Sequence, residues 1–578
     1  MAPIPVEKVI SGTEFTELRV RPDSDNQLSW IASSANGSEL HIASLGTGEV
    51  EAHSLEIPIA AGRGQGGGAY GWHIDGTSVF YAAKDGSLVE YEIRTKSSRV
   101  IWRGDARPLA GVAPLGSRIA VVADSRSLMV VETRSGDVRL VDESADFVFD
   151  PAWTIHGLVW SAWNTPHMPW ESSGVRMWNG MRSRWLVRPG DSQMQQVRSI
   201  PGGQLGCVSD ASGWLNVALI KGVWRGRPRV LINEEFEHAG PTWGMGIRSW
   251  VHDGDSVFFT RNEQGFGRLL RHDLRTNKSS EIGKGVHHSL CSGQGIIGAI
   301  RSGAKTPPQV VVYDKANGEK KVVSSAGDFS EYSDSLIEPE VLRVGNITVR
   351  RYTPANPNGR HLVWVHGGPT DQWQVVWYPK FNFWLSRGYT IVVPDHRGTT
   401  GHGRNFQNSL LGHWGEYDSN DIAAVIRGLE LPPTSVAVVG GSAGGMSALN
   451  VVADHPDVAC CVVVSYPVTD LAHLAATSHR FERHSVHTLV GGEENYRSRS
   501  PLFKAVALKH TPMLVMHGDA DPVVPIVQGA SLVEAVRSAG GRVEFEVMQG
   551  EGHGFRAPEN KMREFHAMET FLDSVMGR

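Results

Sequence analysis

From about residue 20 to about residue 325 the apolar residues come in short runs of β-formers, broken by glycine, Asp-Gly or Asn-Gly, with almost no helical periodicity. This half reads as all-β. Asp75-Gly76 stands before Val79-Phe80-Tyr81, Asp85-Gly86 before Leu88-Val89-Glu90-Tyr91, and Asp253-Gly254 before Val257-Phe258-Phe259. Both residues of such turns take positive φ cheaply, so hairpins are expected.

One turn type recurs along this half. Turns suited to joining the last two strands of a four-stranded blade fall at Gly46-Thr47-Gly48, Arg94-Thr95-Lys96, Ser135-Gly136-Asp137, Asn179-Gly180, Lys221-Gly222, Arg275-Thr276-Asn277 and Asn317-Gly318. Their spacing of roughly 40 to 50 residues is a propeller period. Two β-sandwiches would share the turn density but have no reason to repeat at that interval. The expectation is a seven-bladed β-propeller over 21–325, with 1–20 as an extension that packs on the domain after it.

Beyond Ser324-Ser325-Ala326-Gly327 buried-strand runs alternate with helical stretches. The strands expected are Val363–Val365, Thr390–Val393, Val436–Val439, Cys461–Val464, Met513–Met516 and Val543–Val547. Between them lie helix candidates at Asn420–Glu430, Gly445–His455, Val527–Ala539 and Asn560–Met576. That alternation predicts a doubly wound, mostly parallel sheet over 326–578.

Composition narrows the classes. At 578 residues the chain is too long for one core, and 40% hydrophobic with 20% charged residues is globular, which excludes disorder and collagen. With 56 Lys and Arg against 61 Asp and Glu the net charge of -5 offers no field for a polyanion, so nucleic acid is not an expected partner. Cys207, Cys291, Cys460 and Cys461 form neither a disulfide framework nor a zinc spacing. His287-His288 lacks carboxylate partners, so no metal and no cofactor are expected. No apolar run reaches the length that crosses a bilayer, and the amino terminus lacks a basic region followed by an apolar core; a soluble, cytoplasmic protein away from membranes is expected.

The strand Val436–Val439 runs into Gly440-Gly441-Ser442-Ala443-Gly444-Gly445 and then a helical stretch. A Gly-x-Ser-x-Gly turn between strand and helix exposes its serine in a strained conformation, and flanking glycines are needed because a Cβ there would strike neighbouring backbone. Ser442 is the candidate nucleophile. A serine hydroxyl needs a base, and the base an acid to hold its tautomer and stabilise its charged form. The strand Met513–Met516 ends in His517-Gly518-Asp519-Ala520-Asp521-Pro522-Val523-Val524-Pro525, and Val543–Val547 leads to Gly550-Glu551-Gly552-His553-Gly554-Phe555. The order Ser, Asp, His on successive strand ends is that of an α/β-hydrolase. His553 is the candidate base. Asp519 and Asp521 both qualify as the acid by spacing, the loser being a turn acid that caps local amides.

Negative charge that develops on a carbonyl oxygen requires two donors already in place. The amide of Ala443, at a helix amino terminus, is one candidate. Gly368, in the loop His366-Gly367-Gly368-Pro369 after the first core strand, is the other. Trp373, Trp377 and Tyr378 follow that loop as candidates for an apolar substrate pocket, core packing being the alternative.

These strings resemble the prolyl oligopeptidase family of serine peptidases. The matching residues are His366-Gly367-Gly368-Pro369, Asp395-His396-Arg397-Gly398-Thr399-Thr400-Gly401-His402-Gly403, Gly440–Gly445, Arg499-Ser500-Pro501, His517–Pro525 and Gly552-His553, in order. Gly66-Gly67-Gly68-Ala69-Tyr70, Ala162–Trp170 and Ser209–Asn216 are similar to propeller strings of the acylaminoacyl peptidase and aminopeptidase branch. The resemblance implies a propeller capping a hydrolase domain, Ser442 as nucleophile, Asp521 as the acid, His553 as base, and the amides of Gly368 and Ala443 as the oxyanion donors. Val523 stands where several relatives carry an arginine, and Arg63-Gly64-Gln65 stand where bacterial relatives carry an acidic residue, so substrate anchoring differs. Glu234-Glu235 reads as a solvated turn rather than the paired glutamates of dipeptidyl peptidases.

The function expected is a serine exopeptidase acting on short peptides or on aminoacyl or acylaminoacyl amides through an acyl-enzyme, the propeller restricting substrate size. A carboxylesterase or small-amide hydrolase on the same scaffold and a catalytically silent propeller scaffold are the alternatives. The expected partner is a short peptide or small amide, with assembly as a homo-oligomer left open.

Overall fold

The computed structural model describes residues 3–24, 26–60, 67–104, 107–221 and 227–577; Arg63, Gly64, Gln65, Gly66 and the turn residue Gly222 lie outside the described residues. Thr13–Asp328 form one compact unit, and Met1–Gly12 with Phe329–Arg578 form a second.

The first unit is a seven-bladed propeller. Each blade is an antiparallel sheet of four strands consecutive in the chain, from Glu14–Val20 through Val50–Ser54 in the first to Val286–Gly293 through Lys320–Ser325 in the seventh. The recurrent turns take the place expected of them: Gly46-Thr47-Gly48 lies between Gly37–Ser44 and Val50–Ser54, and Asn317-Gly318 lies between Thr306–Asp314 and Lys320–Ser325. The propeller starts earlier than residue 21, because Glu14–Val20 pairs with Gln27–Ser34 as the innermost strand of the first blade. Polar letters hide that strand: Glu17 and Arg19 are buried in it as an ion pair at 3.2 Å, so its alternation does not read as apolar.

Among the described residues no strand is exchanged between the first and last blades. They are joined by an apolar cluster of Phe15, Leu18, Leu28 and Trp30 with Cys291, Ile300 and Val310, so hydrophobic burial closes the ring. Inner strands face the propeller axis, and only there can non-neighbouring blades touch. Gly67 and Met245, on the segments entering the second and sixth blades, form a parallel bridge. The Gly111 amide of the third blade donates to Gly67 O at 3.0 Å, and the Gly246 amide donates to Asp150 Oδ1 of the fourth at 2.6 Å. Gly246 has φ 77° and a Cβ there would lie 2.3 Å from Gly68 N, so main chain fills the axis at this level.

The second unit holds an eight-stranded sheet, numbered here β1 Glu340–Val344, β2 Ile347–Tyr352, β3 His361–Val365, β4 Thr390–Asp395, β5 Val436–Gly441, β6 Cys461–Ser465, β7 Met513–Gly518 and β8 Val543–Met548, in the order β1-β2-β4-β3-β5-β6-β7-β8. The β1-β2 hairpin, which the sequence pattern did not predict, joins antiparallel to β4; from β4 onward the strands are parallel. The helices Tyr417–Gly428, Ala443–Asp454, Val527–Ser538 and Pro558–Met576 connect or follow them. Val363, Val365, Val438, Val462 and Val515 of the sheet pack on Ile422, Val425, Leu449 and Val452. The short helix Val6–Ile10 packs on Pro558–Met576, and Ile4 N donates to Ser386 Oγ at 3.0 Å. Among the described residues no helix is long and apolar enough to cross a membrane.

Arg350 on β2 and Asp395 at the end of β4 are fully buried and meet through two hydrogen bonds of 2.5 and 2.6 Å. Gln372 Nε2 at 2.8 Å and His402 Nε2 at 2.7 Å complete the shell of Asp395. Burial would raise its carboxyl, but Arg350 and His402 hold it well below the usual carboxylate range. The pair anchors the antiparallel hairpin and the Asp395–Gly403 string to the parallel sheet.

Arg350→Met leaves a buried carboxylate without its fork and is expected to cost about 3–5 kcal/mol, read as a lower urea midpoint at pH 7. Since the folded Asp395 pKa is depressed, its contribution is present above the unfolded carboxylate pKa of about 3.9 and drains away as the pH falls below it. The gap between wild type and Arg350→Met in urea titrations should therefore narrow towards acid; a gap independent of pH would count against this ion pair as its source.

Candidate active site

β5 ends at Gly441 and the chain turns at Ser442, whose φ of 55° and ψ of −126° lie outside the ordinary regions for an L-residue, before the helix Ala443–Asp454 begins. Two contacts impose that turn. A Cβ on Gly440 would sit 2.2 Å from Gly444 O, and one on Gly444 would sit 2.4 Å from His366 O and 2.6 Å from Val365 O. The Ser442 amide donates to Ser465 O at the end of β6 (3.1 Å), and the Ser442 carbonyl accepts from Gly445 N and Val468 N at 3.0 and 3.3 Å. Strain at one residue, of order 1–3 kcal/mol, is thus held by main chain from β3, β5 and β6.

Parallel pairing brings the ends of β3, β5, β6, β7 and β8 to one edge of the sheet. The His366 loop lies against the nucleophile turn: a Cβ on Gly367 would be 3.3 Å from Gly441 O and 3.7 Å from Ser442 Cβ. His366 is buried and stacked on His396 with ring centroids 4.5 Å apart. Burial, with the charge of His396 adding to it, pushes His366 down to about 3, so its ring is neutral. Its Nδ1 therefore donates to Gly367 O at 2.8 Å and its Nε2 accepts from Thr399 Oγ1 at 2.7 Å, which orients the loop. The amides of Gly368 and Ala443 donate to no other described residue.

The acid and base meet directly. His553 Nδ1 is 2.8 Å from Asp521 Oδ2, and Asp521 Oδ1 accepts from the amides of Val523 and Val524 at 2.8 and 3.0 Å. Burial acts to raise the Asp521 carboxyl, but the hydrogen bond and charge of His553, with the two amides, hold it below the usual carboxylate range. Asp519 points elsewhere: it is exposed and accepts from Gly550 N at 2.7 Å, pinning the loop that leads to His553. His517, whose imidazole burial keeps neutral, lies beneath Asp521 with Nε2 2.8 Å from Val524 O. Beyond the base, Glu551 accepts from the amides of Arg556 and Ala557.

Ser442 Oγ makes no hydrogen bond among the described residues, so the Asp521–His553 link is closed and the Ser442–His553 link is open in this structure. Tyr466, which sequence reasoning missed, lies beside both His553 and the Gly441 end of the nucleophile turn. Its ring centroid is 4.6 Å from that of His553, its Cε2 is 3.2 Å from where a Gly441 Cβ would be, and its amide donates to Met516 O at 2.7 Å. The signal available was its place directly after β6, at the same sheet edge as the other loops. Trp373 and Tyr378, candidates for a pocket wall, pack with Trp364 and Phe381 in an aromatic cluster and keep partial exposure; Trp377 is buried against Phe329 at 4.6 Å. Among the described residues no group of three His, Cys, Asp or Glu is placed to hold a metal.

Residues 375–578 match the prolyl oligopeptidase family. Over 240 residues the chain is 32% identical to dipeptidyl peptidase family member 6 of Caenorhabditis elegans, covering 39% of this chain and 32% of that protein. Over 255 residues it is 31% identical to dipeptidyl aminopeptidase BIII of Pseudoxanthomonas mexicana, covering 40% and 37% respectively. The matched stretch thus spans about a third of the length of these relatives. A puromycin-hydrolyzing peptidase of Mycobacterium tuberculosis superposes with a TM-score of 0.90 at 22% identity, covering 100% of this chain and 97% of that one, a likeness of fold. The stretch of this chain that carries the Gly-x-Ser-x-Gly turn and the Asp521–His553 pair is thus the stretch that is similar to the prolyl oligopeptidase family.

Proposed function

We propose that this protein is a serine exopeptidase that hydrolyses short peptides or small aminoacyl or acylaminoacyl amides through an acyl-enzyme. The observation that carries the reading is the 2.8 Å contact of His553 with a buried, ionised Asp521, on the sheet edge where Ser442 is held at φ 55°.

In this scheme His553 Nε2 takes the Ser442 proton as Oγ attacks the scissile carbonyl carbon. Asp521 holds the Nδ1 proton and stabilises the imidazolium that forms. The amides of Gly368 and Ala443 receive the oxyanion. The C–N bond then breaks, His553 returns the proton to the departing amine, and water enters by the same route to release the acid and restore Ser442. Pairing of Nδ1 with Asp521 leaves Nε2 as the basic nitrogen, which is what the first step requires. The match of residues 375–578 to a peptidase family supports amide cleavage as the reaction, and the names of the relatives supply substrates for the assay.

The test is a panel of aminoacyl anilides, N-acetyl aminoacyl anilides, puromycin and short acyl esters. Turnover of anilides or puromycin is expected; fast ester turnover with no measurable amide cleavage would replace the peptidase reading with a carboxylesterase. Ser442→Ala and His553→Ala should each lower kcat by roughly 10⁴ to 10⁶, and Ser442→Ala should abolish labelling by an organophosphonate. Asp521→Asn should cost about 10⁴ in kcat, while Asp519→Asn, which loses a loop cap, should cost far less. Equal losses at the two aspartates would contradict the division of roles between them.

A further inference from the structure

Tyr466, directly after β6, has φ 41°, in the left-handed region that glycine ordinarily occupies. Among the described non-glycine residues with positive φ it is the one aromatic. Its amide donates to Met516 O of β7 at 2.7 Å, which fixes the strained backbone at the sheet edge. Glycine here would remove the strain, so a large side chain held at its cost points to a use for that side chain.

Three groups fix the ring. The His553 ring centroid lies 4.6 Å away with the planes at 56°, and the Phe555 ring stands edge-on at 5.6 Å and 81°. On the third side a Cβ on Gly441 would lie 3.2 Å from Cε2 and 3.5 Å from Cζ of the tyrosine. Gly441 does not have positive φ, so its bare Cα makes room for the ring rather than for a turn. The hydroxyl makes no hydrogen bond among the described residues; burial raises the phenol while the charge of Lys380 acts the other way, and it stays neutral. The ring, not the hydroxyl, is therefore what meets the base.

We propose that the ring of Tyr466 stabilises the imidazolium that forms on His553 as Nε2 takes the Ser442 proton, which makes Tyr466 a positioning residue for the base; this deepens the acyl-transfer reading above and rests on it. A cation within about 6 Å of an aromatic centroid is attracted by the ring quadrupole. Asp521 holds the same cation through Nδ1 at 2.8 Å. A second anion on the other side would keep the Nε2 proton from the leaving group, whereas a ring attracts the charge without accepting that proton. The remaining charged and titratable groups nearby are His517, 3.9 Å behind the Asp521 carboxylate, Glu482, whose carboxyl burial raises and the charge of His553 draws down, and, toward Tyr466, the Lys380–Glu564 ion pair at 2.5 Å.

Wild type, Tyr466→Phe, Tyr466→Leu and Tyr466→Met, each checked for an unaltered melting profile, are compared across the histidine titration range in three assays: labelling of Ser442 by an organophosphonate, hydrolysis of 4-nitrophenyl propionate and hydrolysis of alanine 4-nitroanilide. In the leucine and methionine variants the labelling rate and kcat should fall about three- to thirtyfold with KM little changed. The acid limb of their pH profiles should also move down by about 0.5 to 1 unit, because an imidazolium that has lost the ring gives up its proton more readily. Tyr466→Phe should restore rate and acid limb together. A loss in Tyr466→Phe equal to that in Tyr466→Leu would overturn the proposal in favour of the hydroxyl. A raised KM for the anilide with labelling unchanged would overturn it in favour of a substrate wall, and a uniform loss with an unmoved acid limb in favour of packing alone. If wild type takes the label and cleaves the ester but not the anilide, the peptidase reading falls and the label and ester series decide this inference; wild type that takes no label overturns both.

Discussion

The site depends on one close approach of main chain to main chain. Gly444 lies so near the carbonyls of Val365 and His366 that a methyl group at its Cβ position would overlap both, and Gly440 lies equally near Gly444. These contacts let the helix start directly against the end of β3, which puts the Ser442 turn beside the Gly367-Gly368 loop. Any side chain at either glycine would separate the nucleophile from the loop that faces it. The strained φ of Ser442 is thus a product of packing, with hydrogen bonds to Ser465 and Val468 keeping it in place.

On the other side of the site the balance is electrostatic. Asp521 has its side chain fully out of solvent, and an isolated carboxylate there would take up a proton. Two backbone amides and His553 outweigh that cost and keep it ionised, so the imidazole has a fixed negative partner at Nδ1. Asp519, two residues earlier, stays in solvent and serves the loop rather than the base. Their separation into two roles comes from the turn Asp521–Val524, which folds amides onto one carboxylate and points the other away.

The propeller is held by a different balance. Its first and last blades meet through a cluster of buried apolar side chains, with a rim hydrogen bond from Lys321 Nζ to Leu45 O, while its inner strands carry charged and polar residues such as Glu17, Arg19 and Asp150 at the axis. Those polar letters explain why the first strand was placed too late from the pattern: a buried ion pair interrupts the apolar alternation that marks a strand. The β1-β2 hairpin of the second unit was missed for a related reason, since Glu340–Val344 is a partly exposed edge strand and Arg350 on β2 is a buried charge paired with Asp395, 45 residues away.

What the sequence determined by itself was everything set by local chemistry. Glycine-containing turns at a regular interval specify blades, apolar runs between helical stretches specify a parallel sheet, and Gly-x-Ser-x-Gly between strand and helix specifies an exposed serine, because each depends on backbone freedom or burial within a few residues. What only the tertiary structure decided was which groups face one another: Asp521 rather than Asp519 against His553, Tyr466 beside the base, and Trp377 turned into the core. Those outcomes depend on contacts between segments far apart in the chain, and the pairing of strands, not the spacing of letters, sets such distances.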